Sequence, residues 1–168
     1  QTEFLRCIDV VEAGRYPYTG QLGILSEQDH EKVAEALRLV HGEELAQKDF
    51  RKISDGQRQR ILLAKAICQE AEILILDEPT SFLDVRYKLE FLTILKDLVR
   101  EKQIVVILSL HELDLAQRIS DVVLCIRNHT VDRIGTPDEI FTDAYITNLY
   151  GITCGSYESL YGTMELPA

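Results

Sequence analysis

The chain is poor in the features that mark membrane spans, disulfide scaffolds and nucleic-acid binders. No apolar run approaches the ~18 residues of a spanning helix, and no basic-then-apolar leader opens the sequence. Both absences predict a cytoplasmic chain, docked on a membrane at most through a partner. Its four cysteines, Cys7, Cys68, Cys125 and Cys154, lie far apart and form no CxxC pair. That spacing signals neither a zinc site nor a disulfide framework. Cys68 and Cys125 fall in apolar segments and read as core thiols. Positive charge is the scarce sign, 18 Lys+Arg against 28 Asp+Glu for a formal net charge of -10. Such a balance argues against a nucleic-acid surface and serves solubility. None of the nine glycines is followed by lysine. A G-x-x-x-x-G-K-[S/T] loop, whose backbone N–H groups and lysine cradle phosphates, is therefore absent from the chain. There is no internal repeat and no low-complexity segment.

What is present suffices for one domain with a core: 168 residues, 46% of them apolar and 27% charged, an ordinary globular balance. The first third reads as helical. Phe4 to Ala13 has the apolar spacing of a short helix closed by Gly14, and Arg15 to Gly20 reads as a loop set by Pro17 and Gly20. Ser26 caps an amphipathic helix with Val33, Ala34, Leu37 and Val40 on one face, and Glu43 to Gln47 forms a shorter helical piece. From Ile73 the pattern alternates. Strand 73–76, helix 85–101, strand 103–109, helix 111–118 and strands 122–127 and 130–134 follow in turn, and Leu89, Leu92, Leu95 and Leu98 take core spacing on helix 85–101. This alternation predicts an α/β architecture with a parallel sheet and right-handed crossovers. Thr136-Pro137 opens a helical turn, residues 143–150 a last helix, and the tail beyond Gly151 has little pattern.

The stretch Ile53 to Asp84, ISDGQRQRILLAKAICQEAEILILDEPTSFLD, organises the rest. Ile53 to Gln57 is a turn opening a helix from Gln57 to about Gln69. Glu72 to Leu76 has the length of a fully buried strand. Asp77-Glu78 then places two adjacent carboxylates at that strand's carboxyl end, where α/β sheets bind ligands. Two acids there are costly unless a cation or substrate uses them. One can hold a metal ion while its neighbour takes a proton from water.

These residues resemble the ATP-binding subunit of ABC transporters. ISDGQRQR is similar to that family's signature motif, ILILDE to its Walker B strand and SFLD to its D-loop. Ser109-Leu110-His111, after the apolar run 104–108, is similar to its switch histidine. Gly14-Arg15-Tyr16-Pro17-Tyr18 and the phrase from Ser81 to Leu89 resemble the metal-chelate importer branch, which handles iron-siderophore, haem and cobalamin substrates. The resemblance runs over about residues 5 to 152.

The resemblance implies a P-loop NTPase-type partial parallel sheet with flanking helices, plus an N-terminal helical subdomain bearing the signature. It divides the chain into residues 1–70 (signature subdomain), 71–152 (partial hydrolase core) and 153–168 (tail). It further implies ATP and Mg²⁺ as cofactors of a longer parent. Asp77 would help hold the metal, Glu78 would polarise the attacking water and His111 would sense the γ-phosphate. Ser54, Gly56 and Gln57 would bind the nucleotide held by a second, head-to-tail subunit, with Asp84 acting across that interface or capping helix 85–101. Asp55 stands where the family usually has glycine. A carboxylate beside a phosphate is unfavourable unless it points away, so Asp55 reads as the helix N-cap. Arg15, Tyr16 and Tyr18 would face integral membrane permease subunits from an exposed loop, and no nucleic-acid partner is implied.

The missing P-loop makes a longer ATPase the expected parent and predicts that this chain alone neither holds ATP tightly nor hydrolyses it. Strand 103–109 then lacks a neighbour, so the chain is expected to self-associate or to let strand 122–127 close the gap. Two other readings stay open. One is a naturally P-loop-less interaction subunit, against which Asp77, Glu78 and His111 speak together. The other is an ABC-type ATPase of DNA repair, chromosome condensation or translation, which long heptads or a basic face would mark.

Overall fold

The computed structural model describes residues 4–20, 23–81 and 83–153. Gln1, Phe82 of the Ser81–Asp84 phrase, Cys154 and the rest of the tail lie outside the described residues. The chain divides into two compact units, Gln1–Ser109 and Leu110–Ala168.

In the first unit, α1 (Cys7–Glu12) runs into a 3-10 turn over Ala13–Tyr18, followed by α2 (Glu27–Leu39), a short 3-10 turn Glu43–Leu45 and α3 (Asp55–Cys68). Gly14 does not close α1. It is buried, and a Cβ there would meet the Lys65 carbonyl oxygen at 2.5 Å, so its bare backbone lets the turn lie on α3. The capping box of Ser26 starts α2, as read, with its hydroxyl accepting from the Asp29 N–H at 3.2 Å. The buried apolar face of α2 is Val33, Ala36 and Leu37, continued by Val40 just past its end, and Ala34 is exposed. Cys7 and Val11 of α1 join Ile61, Leu63, Ala64 and Cys68 of α3 in the core.

The α/β part consists of β1 (Ile73–Leu76), α4 (Val85–Lys102) and β2 (Val105–Leu108), with β1 and β2 paired in parallel from Ile73↔Val105 to Leu76↔Leu108. The Asp84 side chain caps α4 by accepting from the Tyr87 N–H at 3.1 Å. Phe91, Leu92, Ile94, Leu95 and Leu98 of α4 are buried, whereas Leu89 is exposed. The expectation of a fully buried first strand fails. Only Leu74 of β1 is buried, and Ile75 is 73% exposed. Ile73, Ile75, Val105 and Ile107 lie on one face of the two-stranded sheet, and each is more than half exposed.

The second unit holds α5 (Leu113–Ile119), β3 (Val123–Arg127), β4 (Thr130–Gly135), α6 (Pro137–Ile140) and α7 (Asp143–Tyr150). β3 pairs antiparallel with β4 in a sheet of its own. Strand 122–127 therefore neither extends the parallel sheet nor closes the gap beside β2. Local turn chemistry explains the pairing that β3 does make. Asn128 and His129 both have positive φ (50° and 63°), the geometry that joins adjacent strands in a tight hairpin. Among the described residues Cys125, Ile140 and Ile146 are its buried apolar side chains, so both Cys68 and Cys125 are core thiols as expected. Among the described residues, no helix is long and apolar enough to cross a membrane.

Candidate functional site

The carboxyl end of β1 and the start of α3 carry the candidate residues of the first unit. Leu76 ends the strand, and the chain turns sharply through Glu78, whose φ of 44° is left-handed. Non-glycine residues rarely adopt that region, and such outliers cluster at functional sites. The turn is pinned from β2. The Ser109 N–H donates to the Leu76 carbonyl at 3.1 Å. Its Oγ accepts from the Glu78 N–H at 2.8 Å and donates to Asp77 Oδ1 at 2.8 Å. Ser81 Oγ donates to Glu78 Oε2 at 3.0 Å. Asp77 and Glu78 are both exposed. The desolvation cost expected for buried acids is therefore not present in this chain.

At the start of α3 it is Ser54, not Asp55, that caps the helix. Ser54 Oγ accepts from the Gln57 N–H at 3.3 Å, and Gln57 Oε1 accepts from the Ser54 N–H at 3.1 Å. Asp55 is the first helical residue, so α3 begins two residues before Gln57. Its carboxylate pairs with Arg58 Nη1 at 2.6 Å, a partner that offsets its charge beside the turn. Gly56 is buried because Tyr87 of α4 lies on it. One contact ties this helix to the turn after β1, Gln59 Nε2 donating to the Pro79 carbonyl at 2.9 Å. The structure thus links the Ser54 turn, the acids and the Asp84-capped start of α4 through Gln59, Gly56 and Tyr87. His111 is exposed and belongs to the second unit, ahead of α5.

Arg15 is corrected by the structure. Expected on an exposed loop, it is 6% exposed. Its guanidinium donates to Asp29 Oδ1, the Cys68 carbonyl and Glu70 Oε2, each at 2.8 Å, and lies 4.0 Å from the centre of the Tyr18 ring. Tyr18 also donates its hydroxyl proton to the Gln69 carbonyl. A charge consumed by the C-terminal end of α3 is not offered to a partner. Tyr16 and Tyr18 remain exposed.

The residue that sequence reasoning passed over is Ser109, read only as the start of the Ser109-Leu110-His111 phrase. Its position at the end of the neighbouring parallel strand was the available signal, since residues at the ends of adjacent strands lie side by side.

A parallel strand pair ending in acids, flanked by a serine-capped helix, places the chain in the class of P-loop NTPase-type α/β cassettes. A family model described as ABC transporter matches residues 3–81, which include Ser54, Asp77 and Glu78. The chain is 41% identical over 158 residues to an ABC transporter ATP-binding protein of Methanocaldococcus jannaschii, covering 94% of this chain and 54% of the relative. It is 38% identical to the achromobactin transport ATP-binding protein of Dickeya dadantii (86% of this chain, 54% of the relative). To the petrobactin import ATP-binding protein of Bacillus anthracis it is 35% identical (96% and 59%). A solved metal-chelate type ABC transporter in an inward-facing conformation superposes with a TM-score of 0.84 at 28% identity, over 90% of this chain and 60% of that one. The chain belongs to the ABC transporter ATP-binding family as a partial domain, spanning between 54% and 59% of the length of these curated relatives.

Proposed function

We propose that the protein to which this chain belongs is the ATP-hydrolysing subunit of an importer for iron-siderophore, haem or cobalamin-type chelates. The observation that carries this reading is the similarity to achromobactin and petrobactin ATP-binding proteins across a stretch that holds both acids and the Ser54 turn.

Asp77 suits a Mg²⁺ ion. Among the described residues no group of three or more metal-binding side chains exists. Mg²⁺ needs none, because it is held by one or two carboxylates together with substrate phosphates and waters. Ser109 occupies Asp77 Oδ1, and Oδ2 carries no hydrogen bond among the described residues. When bound, the ion neutralises phosphate charge. Glu78, exposed at the same turn, polarises the attacking water. Ser54, Gly56 and Gln57 present a capped helix N-terminus to the γ-phosphate of a nucleotide held by a second, head-to-tail copy. Asp84 sits at that interface while capping α4, and His111 responds to the γ-phosphate. Catalysis then rests on positioning and charge neutralisation, as in other phosphoryl transfers. Tyr16 and Tyr18 form the face toward integral permease subunits, which hold the protein at the cytoplasmic side of the membrane.

The test is Glu78→Gln in the whole protein. Turnover of ATP should fall by about 10²-fold or more, the scale of a lost general base, while ATP binding persists. Turnover at the wild-type rate would refute the reading.

A further inference from the structure

We propose that Ser109 is a positioning residue for both acids at the end of β1, a role that rests on the ATPase reading above. Its backbone is fixed first. The Ser109 N–H bond to the Leu76 carbonyl carries the β1–β2 ladder one step past the strands and sets the hydroxyl level with the acids. A serine hydroxyl has one proton and two lone pairs. Here a lone pair faces the Glu78 N–H at 2.8 Å, and among the described residues the acceptor the proton meets is Asp77 Oδ1 at 2.8 Å. The direction of both bonds is thereby settled.

Two consequences follow for the acids. Asp77 is held by one oxygen with the other left for a cation. Glu78 is held in its left-handed conformation at the peptide by Ser109, and at the carboxylate by Ser81 Oγ at 3.0 Å. A group that accepts from one acid's backbone and donates to the other's carboxylate couples their orientations. Alanine can do neither, valine reproduces only the bulk of threonine, and threonine can do both. Ser109 is exposed, so removing its hydroxyl leaves no cavity and no buried unpaired group. Its loss therefore acts on the geometry of the acids far more than on the stability of the fold.

The experiment compares Ser109→Ala, Ser109→Val and Ser109→Thr in the whole protein, with two readouts. One is amide hydrogen exchange at Glu78 without nucleotide. The other is ATP turnover as a function of Mg²⁺ concentration. Expected are faster Glu78 exchange in the alanine and valine variants, and a loss of about 10- to 100-fold in kcat or Mg²⁺ affinity, the scale for groups that orient metal ligands. The thermal midpoint should stay within about 5 °C of the wild type, and threonine should restore both readouts. Unchanged Glu78 exchange in Ser109→Ala would overturn the proposal. So would altered exchange with wild-type turnover and Mg²⁺ dependence, or a threonine variant as impaired as the valine one. A wild-type protein without ATP turnover, whose Glu78 exchange still answers to Ser109→Ala, would defeat the ATPase reading and the positioning role with it. The hydrogen bond itself would stand, which tells the two failures apart.

Discussion

Gly56 sits where a ligand-binding role and a packing role predict different things. A Cβ built on Gly56 lies 2.7 Å from Tyr87 Cγ and 3.0 Å from Tyr87 Cβ and Cδ1. Carbon contacts are optimal at about 3.5–4.0 Å, and the atoms met are the root of the ring, not its mobile far end. Relief requires α4 to move at its first turn, which Asp84 holds through the Tyr87 N–H. Overpacking of this kind costs about 1–3 kcal/mol, against a gain of at most about 1 kcal/mol from replacing glycine in a helix. Gly56→Ala should therefore destabilise the chain by about 1–2 kcal/mol, with a lower urea midpoint at unchanged slope. For a chain of this size each kcal/mol lowers the Tm by about 2–4 °C. In a Tyr87→Ala background the same substitution should become neutral or stabilising, giving a coupling energy of about 1–3 kcal/mol in the double-mutant cycle. A Gly56→Ala chain as stable as the wild type, or one whose defect persists without Tyr87, would refute the packing argument. The double variant also separates packing from phosphate contact, because a turnover defect of Gly56→Ala alone mixes the two.

The Ser26 hydroxyl and N–H, with the Arg15 guanidinium, hold the Asp29 carboxyl down at about 2, from an ordinary value of 3.8. A carboxyl with a lower pKa in the folded chain contributes stability that is complete above about pH 4 and is lost as the pH falls toward about 2. Asp29→Asn should flatten that acid limb of the urea midpoint, and an unaltered acid slope would contradict the assignment. Burial pushes the Cys68 thiol up to about 11 from 9.0. Its contribution is complete below about pH 9 and is lost between about 9 and 11, so Cys68→Ser should blunt the alkaline fall in stability. In the folded chain Cys68 should also resist iodoacetamide at pH 8 and react once urea unfolds it.

Most elements were legible because their signals are local. Ser26 and Asp84 cap their helices through bonds to residues three positions on, and the apolar spacing of helix 85–101 comes from the helical period itself. At Ser54 and Asp55 two good capping residues stand side by side, and local chemistry alone did not choose between them. The candidate acids were visible for the same reason, as adjacent carboxylates closing an apolar run.

Sequence by itself determined the order of the motifs, the helices and the two acids, since each depends on neighbours within a turn or a strand. Tertiary structure alone decided what distant segments do to one another. Arg15 left the surface because Asp29, Cys68 and Glu70, 14 to 55 residues away, supply its partners. Ser109 reached the acids across 31 and 32 residues by strand pairing. The exposure of β1 was likewise beyond its own sequence, because an apolar strand is buried only when something else covers its faces.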